Sequence, residues 1–429
     1  MKLFLSAVML FSFLQYNTNF ATGIAVDWAV FNYTDGISLI EIYYSCPYNI
    51  FNYVVKNDTI TTTYQLSFAM KNVTTFDSIF ETSRHRIIIP SFEYAQSHDV
   101  KSVDILRFFV PPGRYWFHIT INDSSLNISY RDTINVPDFK QSPAISSIQL
   151  ASSVIKDTAK GKFNKGNMQI IPNPDLKFGG SYDFIYLYFE GYNLVPDSAN
   201  YELAYLVLSK ENKIVKSFPS ELKKKTGTDF AYIYAISTKG LATGDYLFQI
   251  VLKDLSTGNQ AVQVKPFQII TPKSVAQDTT PTLIDTAKYA QEIKYYATPN
   301  ELKQYQSLNE SGKKEFLRKF WQVHNLSEFI SRMNYVNKKY QVGRIAGKDT
   351  DRGRIYIKYG PPDEIVMHTM LEQVASHEHW YYYNQNYHFI FVDIYGNNNY
   401  KLVYSNNDNE PKMPNWEKYV DPMELDELK

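Results

Sequence analysis

The chain is short of cysteine, of net charge and of long hydrophobic runs. Among its 429 residues Cys46 is the only cysteine, so an internal disulfide is excluded. The 44 basic and 44 acidic residues cancel, so no global field attracts nucleic acid or an anionic membrane surface. Past the N-terminus, no segment approaches the roughly 20 consecutive apolar residues of a transmembrane helix. We therefore expect neither a nucleic-acid partner nor a transmembrane span.

The motifs of common catalytic and nucleotide-binding classes are also lacking. The sequence contains no G-x-S-x-G, no H-E-x-x-H, no P-loop and no dinucleotide fingerprint. Cys46 has no histidine near it in sequence, which favours a small buried hydrophobic residue over a nucleophile. We predict no catalytic residue and no cofactor, and we interpret the chain as a non-enzyme.

The first 23 residues are typical of a secretion signal. Lys2 gives a positive start, an apolar run covers residues 3–14, and small residues follow at 21–23. The run has about 12 residues, which is too short to cross a bilayer. We predict a signal peptide over 1–23 and export to the periplasm or the extracellular surface of a bacterial envelope.

Aromatic residues are abundant, with 35 Tyr and 27 Phe beside only 18 Gly. Such residues favour the half-buried surfaces of sheets. Short runs of alternating apolar and polar residues, bounded by Asn, Asp, Gly or Pro, recur along the first 271 residues. A chain of this length exceeds one ordinary core. We predict two β domains, one over 24–137 and one over 144–271.

A repeated segment relates these two domains. Gly113 and Tyr115 open one alternating run, and Gly244 and Tyr246 open another with Phe, Ile and Asp in the same register. A glycine two residues before such a tyrosine resembles the tyrosine corner of immunoglobulin-like sandwiches. We predict two tandem sandwiches of this type. The alternative is the same strand opening acquired separately by unrelated β folds.

The pattern changes after a Pro- and Thr-containing linker predicted at 272–284. Thr298 to Glu301 forms a capping box, which predicts a helix start, and apolar residues at helical spacing follow. Further strands are predicted at 354–359, 378–383, 387–394 and 400–404. We expect an α+β domain over 285–405, with helices before an antiparallel sheet, and then an acidic tail of little periodicity over 406–429.

The stretch from Gly347 to Ile365 resembles the GWxTD domain family. That family is named for a G-W-x-T-D motif, followed by D-R-G-R, a strand, Y-G and P-D-E. The resemblance extends to Tyr340 upstream and to the segment around Glu378 downstream. It implies an exported bacterial protein with a β-rich N-terminal region, and it implies no mechanism. Lys348 occupies the position of the motif tryptophan.

Charged residues and glycines of this motif are the candidate binding residues. In one interpretation the carboxylates cap turns and pair with the two arginines, while the glycines supply unusual backbone angles. In the other, the charges line a groove that recognises a peptide or a glycan. The candidates are Gly347, Lys348, Asp349, Thr350, Asp351, Arg352, Gly353, Arg354, Tyr356, Gly360, Pro362, Asp363 and Glu364.

Four of the eight histidines also lie close together in sequence: His368, His377, His379 and His388. On a strand His377 and His379 share a face, and two such histidines with a further ligand can hold zinc. No third ligand follows at a characteristic spacing, so the sequence predicts no metal site.

These observations favour an exported envelope protein of interaction or structural type, without catalysis. The C-terminal GWxTD-like domain is the expected interaction module, and envelope proteins or glycan are the expected partners. One alternative is an envelope hydrolase that acts on glycan or peptide through the acidic residues around Asp351. Another is a glycan-binding module that uses exposed aromatic residues of a sandwich face.

Overall fold

The computed structural model describes residues 23–96, 100–123, 125–157, 159, 161–180, 182–270, 286–368 and 375–420. Residues 1–22 of the predicted signal peptide and the whole predicted linker lie outside the described residues. The described part is mostly β-sheet, and its longer helices are concentrated near the C-terminus. None of these helices combines the length and the apolar character needed to pass through a membrane.

The first unit encloses one aromatic and aliphatic core between a three-stranded sheet, β1-β2-β6, and a five-stranded sheet built on β4 and β7. Its elements are β1 (Ala25–Thr34), β2 (Ile37–Pro47), β3 (Val54–Lys56), β4 (Thr59–Asn72), β5 (Ser78–Ile89), α1 (Phe92–Gln96), β6 (Lys101–Val110), β7 (Gly113–Asn122) and β8 (Asn127–Val136). Alternation is clearest in β7, where Tyr115, Phe117, Ile119 and Ile121 are buried.

The second unit also packs two sheets on one core. Its elements are β9 (Ala144–Ile145), β10 (Gln149–Lys156), β11 (Asn164–Lys165), β12 (Met168–Pro172), β13 (Lys177–Phe178), β14 (Phe184–Tyr192), β15 (Asn200–Ser209), β16 (Ile214–Ser217), β17 (Glu221–Lys224), β18 (Phe230–Ser237), β19 (Gly244–Asp254) and β20 (Gln260–Ile269).

The C-terminal part contains helices followed by antiparallel strands. Its elements are α2 (Pro299–Ser307), α3 (Glu310–Val323), α4 (Leu326–Lys339), α5 (Asp351–Tyr359), β21 (Glu364–His368), β22 (His377–Tyr382), β23 (Tyr387–Val392) and β24 (Lys401–Ser405). The predicted capping box is confirmed, because the Thr298 side chain accepts from the Glu301 amide and the Glu301 carboxylate accepts from the Thr298 amide.

The strand predicted over 354–359 is wrong, because this segment belongs to helix α5. Thr350 caps the helix N-terminus through its hydroxyl, and Gly360 ends it with a φ of 85°. Ile355, Tyr356 and Ile357 are all buried. A segment this short, buried on several sides, shows no period that distinguishes helix from strand.

The predicted tail is also corrected over its described portion, 406–420. Trp416 is buried with its ring centroid 4.3 Å from that of Tyr404, and Val420 is buried beside it. Glu410 is buried as well. The sequence does not reveal this packing, because the apolar residues that contact the sheet are isolated between polar ones and form no periodic pattern.

One sheet continues from the second unit into the C-terminal part. It runs β11-β12-β10-β14-β18-β21-β22-β23-β24, with β9 paired to β14. At the junction β18 and β21 are antiparallel, with Tyr234 opposite Val366 and Ile236 opposite Glu364. Strands from both sides of the predicted domain boundary therefore belong to one sheet.

The repeated strand openings make the same hydrogen bond. The Tyr115 hydroxyl donates to the Pro111 carbonyl at 2.9 Å, and the Tyr246 hydroxyl donates to the Ala242 carbonyl at 2.8 Å. In both cases the acceptor lies four residues upstream, so each phenol fixes the turn that precedes its strand.

We expect Tyr246→Phe and Tyr115→Phe each to lower the free energy of unfolding by about 1 kcal/mol, because each removes a buried hydrogen bond and leaves a carbonyl without its donor. Urea denaturation measures the change. Tyr33→Phe is the matched control, since Tyr33 is 60% exposed. Equal effects at all three positions would contradict a role for the two corner hydroxyls.

Candidate functional site

In the motif region of the C-terminal unit three short backbone segments pack together: the end of α4, a 3-10 turn at Gly347–Asp349, and the start of α5. Thr350 holds the last two together. Its hydroxyl donates to the Gly347 carbonyl at 2.7 Å and accepts from the Gly353 amide at 3.1 Å.

Gly347 and Gly353 are required by close backbone contact. A Cβ on Gly347 would lie 1.8 Å from the Val336 carbonyl oxygen, and a Cβ on Gly353 would lie 1.9 Å from the Gly347 carbonyl oxygen. Neither neighbour can move as a flexible side chain could. The two motif glycines therefore set how closely α4 and α5 approach each other.

The motif charges pair with residues outside the motif, so the expectation that its carboxylates pair with its two arginines is wrong. Arg352 binds Glu378 at 2.8 Å and Arg354 binds Glu410 at 2.5 Å. Asp351 Oδ2 instead accepts from the Leu402 amide at 2.9 Å. Helix α5 is thus tied to the sheet and to the segment after β24.

Glu410 collects several donors from α5. Lys358 Nζ lies 2.7 Å from one carboxylate oxygen, and the Tyr359 hydroxyl donates to the same oxygen at 2.9 Å. Burial alone would raise the pKa of the Glu410 carboxyl, but the bonds from Lys358 and Arg354 hold that pKa below its ordinary value.

The remaining motif residues have local structural contacts. Asp363 Oδ2 accepts from the Tyr383 amide at 2.9 Å. Glu364 is buried and contacts the Tyr383 hydroxyl, and burial together with Glu221 raises the pKa of its carboxyl well above the ordinary value. Pro362 is buried beside them.

The residue at the motif tryptophan position forms an ion pair. Lys348 Nζ lies 2.9 Å from Glu292, and the Lys348 amide donates to the Asn337 side chain at 3.0 Å. Asp349 beside it is exposed. Tyr356 is buried on the helix and donates to Asp183 of the second unit at 2.5 Å.

Arg352 differs from the other motif residues because it lines a cavity. The cavity has a volume of about 260 Å³ and lies between the second unit, α4, α5 and the continuous sheet. Its walls come from both sides of the predicted domain boundary: Val154, Ile155, Lys156, Met168, Tyr186, Lys338, Lys339, Tyr340, Gln341, Val342, Arg352, Ile365, Met367, Glu378, Asn398 and Tyr400. We call it the Arg352 pocket.

The Arg352 guanidinium is held in a fixed orientation. It lies 4.0 Å from the ring centroid of Tyr400 and 5.0 Å from that of Tyr340. Nη1 donates to Glu378 at 2.8 Å and Nη2 donates to the Asn398 carbonyl at 3.1 Å. Nε is buried and has no hydrogen-bond partner among the described residues. One donor of the motif arginine is therefore available.

Lys339 adds a second cation to the pocket. Its ammonium lies 3.4 Å from the Ser153 hydroxyl and 4.8 Å from the ring centroid of Tyr186. Burial and the nearby Arg352 lower its pKa to about 8, although Glu378 acts in the opposite direction. No salt bridge of Lys339 occurs within the described part of the chain.

The pocket carries more positive than negative charge. Lys156 is paired with Asp393 at 2.9 Å and Arg352 with Glu378 at 2.8 Å, whereas Lys339 forms no salt bridge with a described residue. A small cavity lined by four basic side chains, one carboxylate and aromatic rings suits an anionic group, above all a planar carboxylate that matches a guanidinium.

The sequence places Arg352 among the candidates but leaves out most of its surroundings. Tyr340 and Glu378 are noted there only as positions that resemble the family. Lys156, Lys339 and Tyr400 are not among the candidate residues. These residues come from segments up to about 240 positions apart, so no local pattern marks them.

We expect Gly347→Ala and Gly353→Ala each to destabilise the protein by about 3 kcal/mol, because the added methyl group overlaps a backbone carbonyl. Thermal unfolding followed by circular dichroism measures the change. Gly227→Ala is the control, because a Cβ there has no neighbour nearer than 3.9 Å. A loss at Gly347 or Gly353 no larger than at Gly227 would contradict the close approach.

Comparison with known proteins identifies the C-terminal part. Residues 266–421 match the family model described as the GWxTD domain. No curated protein matches the chain significantly. The match reaches past β24 to residue 421, in agreement with the packing of the segment around Trp416.

Similar solved structures include a calcium-binding mutant of Bacteroides uniformis beta-glucuronidase 2, with 7% identity, a TM-score of 0.19 and coverage of 53% of this chain and 26% of that chain. Parabacteroides merdae beta-glucuronidase has 11% identity, a TM-score of 0.19 and coverages of 56% and 29%. Red sea bream transglutaminase has 8% identity, a TM-score of 0.17 and coverages of 57% and 31%. This chain spans less than a third of each of them, and at these TM-scores the similarity carries no argument.

The family match therefore provides the identification: residues 266–421 of this chain are a GWxTD domain.

Proposed function

We propose that this is an exported, non-catalytic envelope protein whose GWxTD domain binds a carboxylate group of a partner protein in the Arg352 pocket. The signal-like N-terminus and the lack of catalytic motifs support export and binding.

The observation that carries this proposal is the buried Nε of Arg352. A buried donor without a partner costs about 1–3 kcal/mol. A ligand carboxylate that accepts from Nε would recover this free energy and would also approach Lys339. The flanking rings of Tyr340 and Tyr400 keep the guanidinium in place before the ligand arrives. Little side-chain conformational entropy is therefore lost on binding.

The two β units would then be tandem immunoglobulin-like sandwiches that support the GWxTD domain. The matching tyrosine corners and the facing sheets favour this assignment. The second unit also has a direct part in binding, because Lys156, Met168 and Tyr186 form one wall of the pocket. A GWxTD domain separated from this unit would lack that wall.

We expect Arg352→Lys to weaken binding of a glutamate-rich peptide by about 10- to 100-fold, since a charge-assisted hydrogen bond contributes about 1.5–3 kcal/mol and lysine cannot reproduce the guanidinium geometry. Isothermal titration calorimetry with the full chain measures the dissociation constant. Arg318→Lys is the control, because Arg318 is half exposed and pairs with Glu315 on α3.

A glutamine-rich peptide of the same length tests the requirement for charge, and a uronate oligosaccharide tests the glycan alternative. Tight binding of the oligosaccharide and none of the peptide would favour glycan. Equal binding of the glutamate peptide by the wild type and Arg352→Lys would contradict the proposed site.

The affinity should fall as the pH rises from 7 to 9. Lys339, with its pKa lowered to about 8, is charged at the lower pH and loses its proton over this window. The other charged or titratable groups that line the pocket are Glu378, Arg352, Lys156, Lys338, Tyr186, Tyr340 and Tyr400. Lys339→Arg keeps its charge and should flatten the profile, whereas Lys319→Arg, on α3 and outside the pocket, should not. A wild-type affinity independent of pH would oppose a role for Lys339.

A further inference from the structure

Three histidines meet on the side of the continuous sheet opposite to the Arg352 pocket. His368 on β21 is directly opposite His377 on β22, and His379 follows two residues later on the same face. One ring nitrogen from each lies within 4.8 Å of those of the other two. The sequence groups His368 with His377, His379 and His388, and the pairing of β21 with β22 places His368 opposite His377.

The three imidazoles converge closely. The rings of His368 and His377 are stacked at 4.7 Å with an interplanar angle of 3°, and the His379 ring lies 5.1 Å from His368 and 5.3 Å from His377. Around a tetrahedral metal with bonds of about 2.0–2.1 Å the nitrogens are about 3.3 Å apart. Binding of a metal therefore requires the rings to rotate about their side-chain torsions and bring the nitrogens closer together.

The surroundings supply the outer contacts that metal-binding histidines require. His377 and His379 are buried, and His377 Nδ1 lies 2.9 Å from the Ala375 carbonyl. A proton on that nitrogen leaves Nε2 as the metal-binding atom, the arrangement usual for metal ligands. His388 Nε2 on β23 lies 3.3 Å from His379 Nδ1 and can orient that ring in turn.

This cluster is separate from the Arg352 pocket. Glu378 and Trp380 alternate with the histidines along β22 and therefore point to the other face, where Glu378 binds Arg352. A metal ion among the histidines would touch none of the residues that line the pocket. Removing one site should leave the other intact.

We propose that His368, His377 and His379 form a binding site for a late first-row transition metal ion, with zinc as the natural test ion. Three neutral imidazoles with a fourth position open to water suit zinc, copper or nickel, and the absence of a carboxylate among them disfavours magnesium and calcium. The ion would bridge the C-terminal end of β21 and the N-terminal end of β22.

The first experiment measures zinc retained by the full chain. The protein is stripped with a chelator, incubated with zinc chloride, dialysed and analysed by inductively coupled plasma mass spectrometry. We expect about one zinc ion per wild-type chain and none above background in His377→Ala or His379→Ala, because two imidazoles hold zinc poorly. His118→Ala, with its histidine on β7, is the matched control and should retain zinc.

A competition titration against a chromogenic zinc chelator measures how much each histidine contributes to the zinc affinity. Loss of His368, His377 or His379 should weaken the affinity by more than the roughly 10- to 100-fold that follows loss of an outer contact. His388→Ala should fall within that range, as expected of a positioning residue. Arg352→Lys should bind zinc like the wild type.

Equal zinc content in the wild type, His377→Ala and His379→Ala would overturn the proposal, as would a wild type that retains none. If an alanine variant fails to fold, cobalt titration of the wild type decides the matter. Four-coordinate cobalt gives intense visible absorption bands that six-coordinate cobalt lacks. Bands that saturate near one equivalent and disappear on zinc addition support the site, and their absence refutes it.

Discussion

The antiparallel pairing of β18 with β21 is the contact on which the rest of the structure depends. It places buried residues of the second unit beside buried residues of the GWxTD domain, with Tyr234 opposite Val366 and Ala235 opposite Ile365. Without it, β21 would be an exposed edge and β18 would lack a neighbour on that side. The domain is therefore built as an extension of a sheet that already has a core.

This extension gives the sheet two different faces. Successive side chains of a strand point to opposite sides, so β22 directs His377 and His379 one way and Glu378 the other. On the side of Glu378 the helices α4 and α5 cover the sheet and enclose the Arg352 pocket. On the other side His368, His377 and His379 lie close together. The Arg352 pocket and the histidine cluster thus use opposite faces of the same strand.

The GWxTD motif connects packing with the pocket. Gly347 and Gly353 allow the backbones of α4, the 3-10 turn and α5 to come into direct contact. That contact fixes the first turn of α5, from which Arg352 reaches between two tyrosine rings. Arg354 and Lys358 on the same helix form ion pairs with the buried Glu410, and these bonds tie α5 to the segment after β24. Lys348, at the tryptophan position, forms an ion pair with Glu292 and is not among the residues that line the pocket.

The sequence by itself determined the features whose free energy comes from neighbours a few residues away. The capping box at Thr298 and the strands around Trp380 and Phe389 follow from such local signals, and so does the hydrogen-bonded opening before Tyr246. The helix over Asp351–Tyr359 was decided only by the tertiary structure, because its burial between α4 and the sheet removes any period from its apolar residues. Long-range pairing alone also brought Lys339, Glu378 and Tyr400 to Arg352. Such contacts join residues far apart in sequence, whose partners depend on which strands pair, and no local pattern encodes that choice.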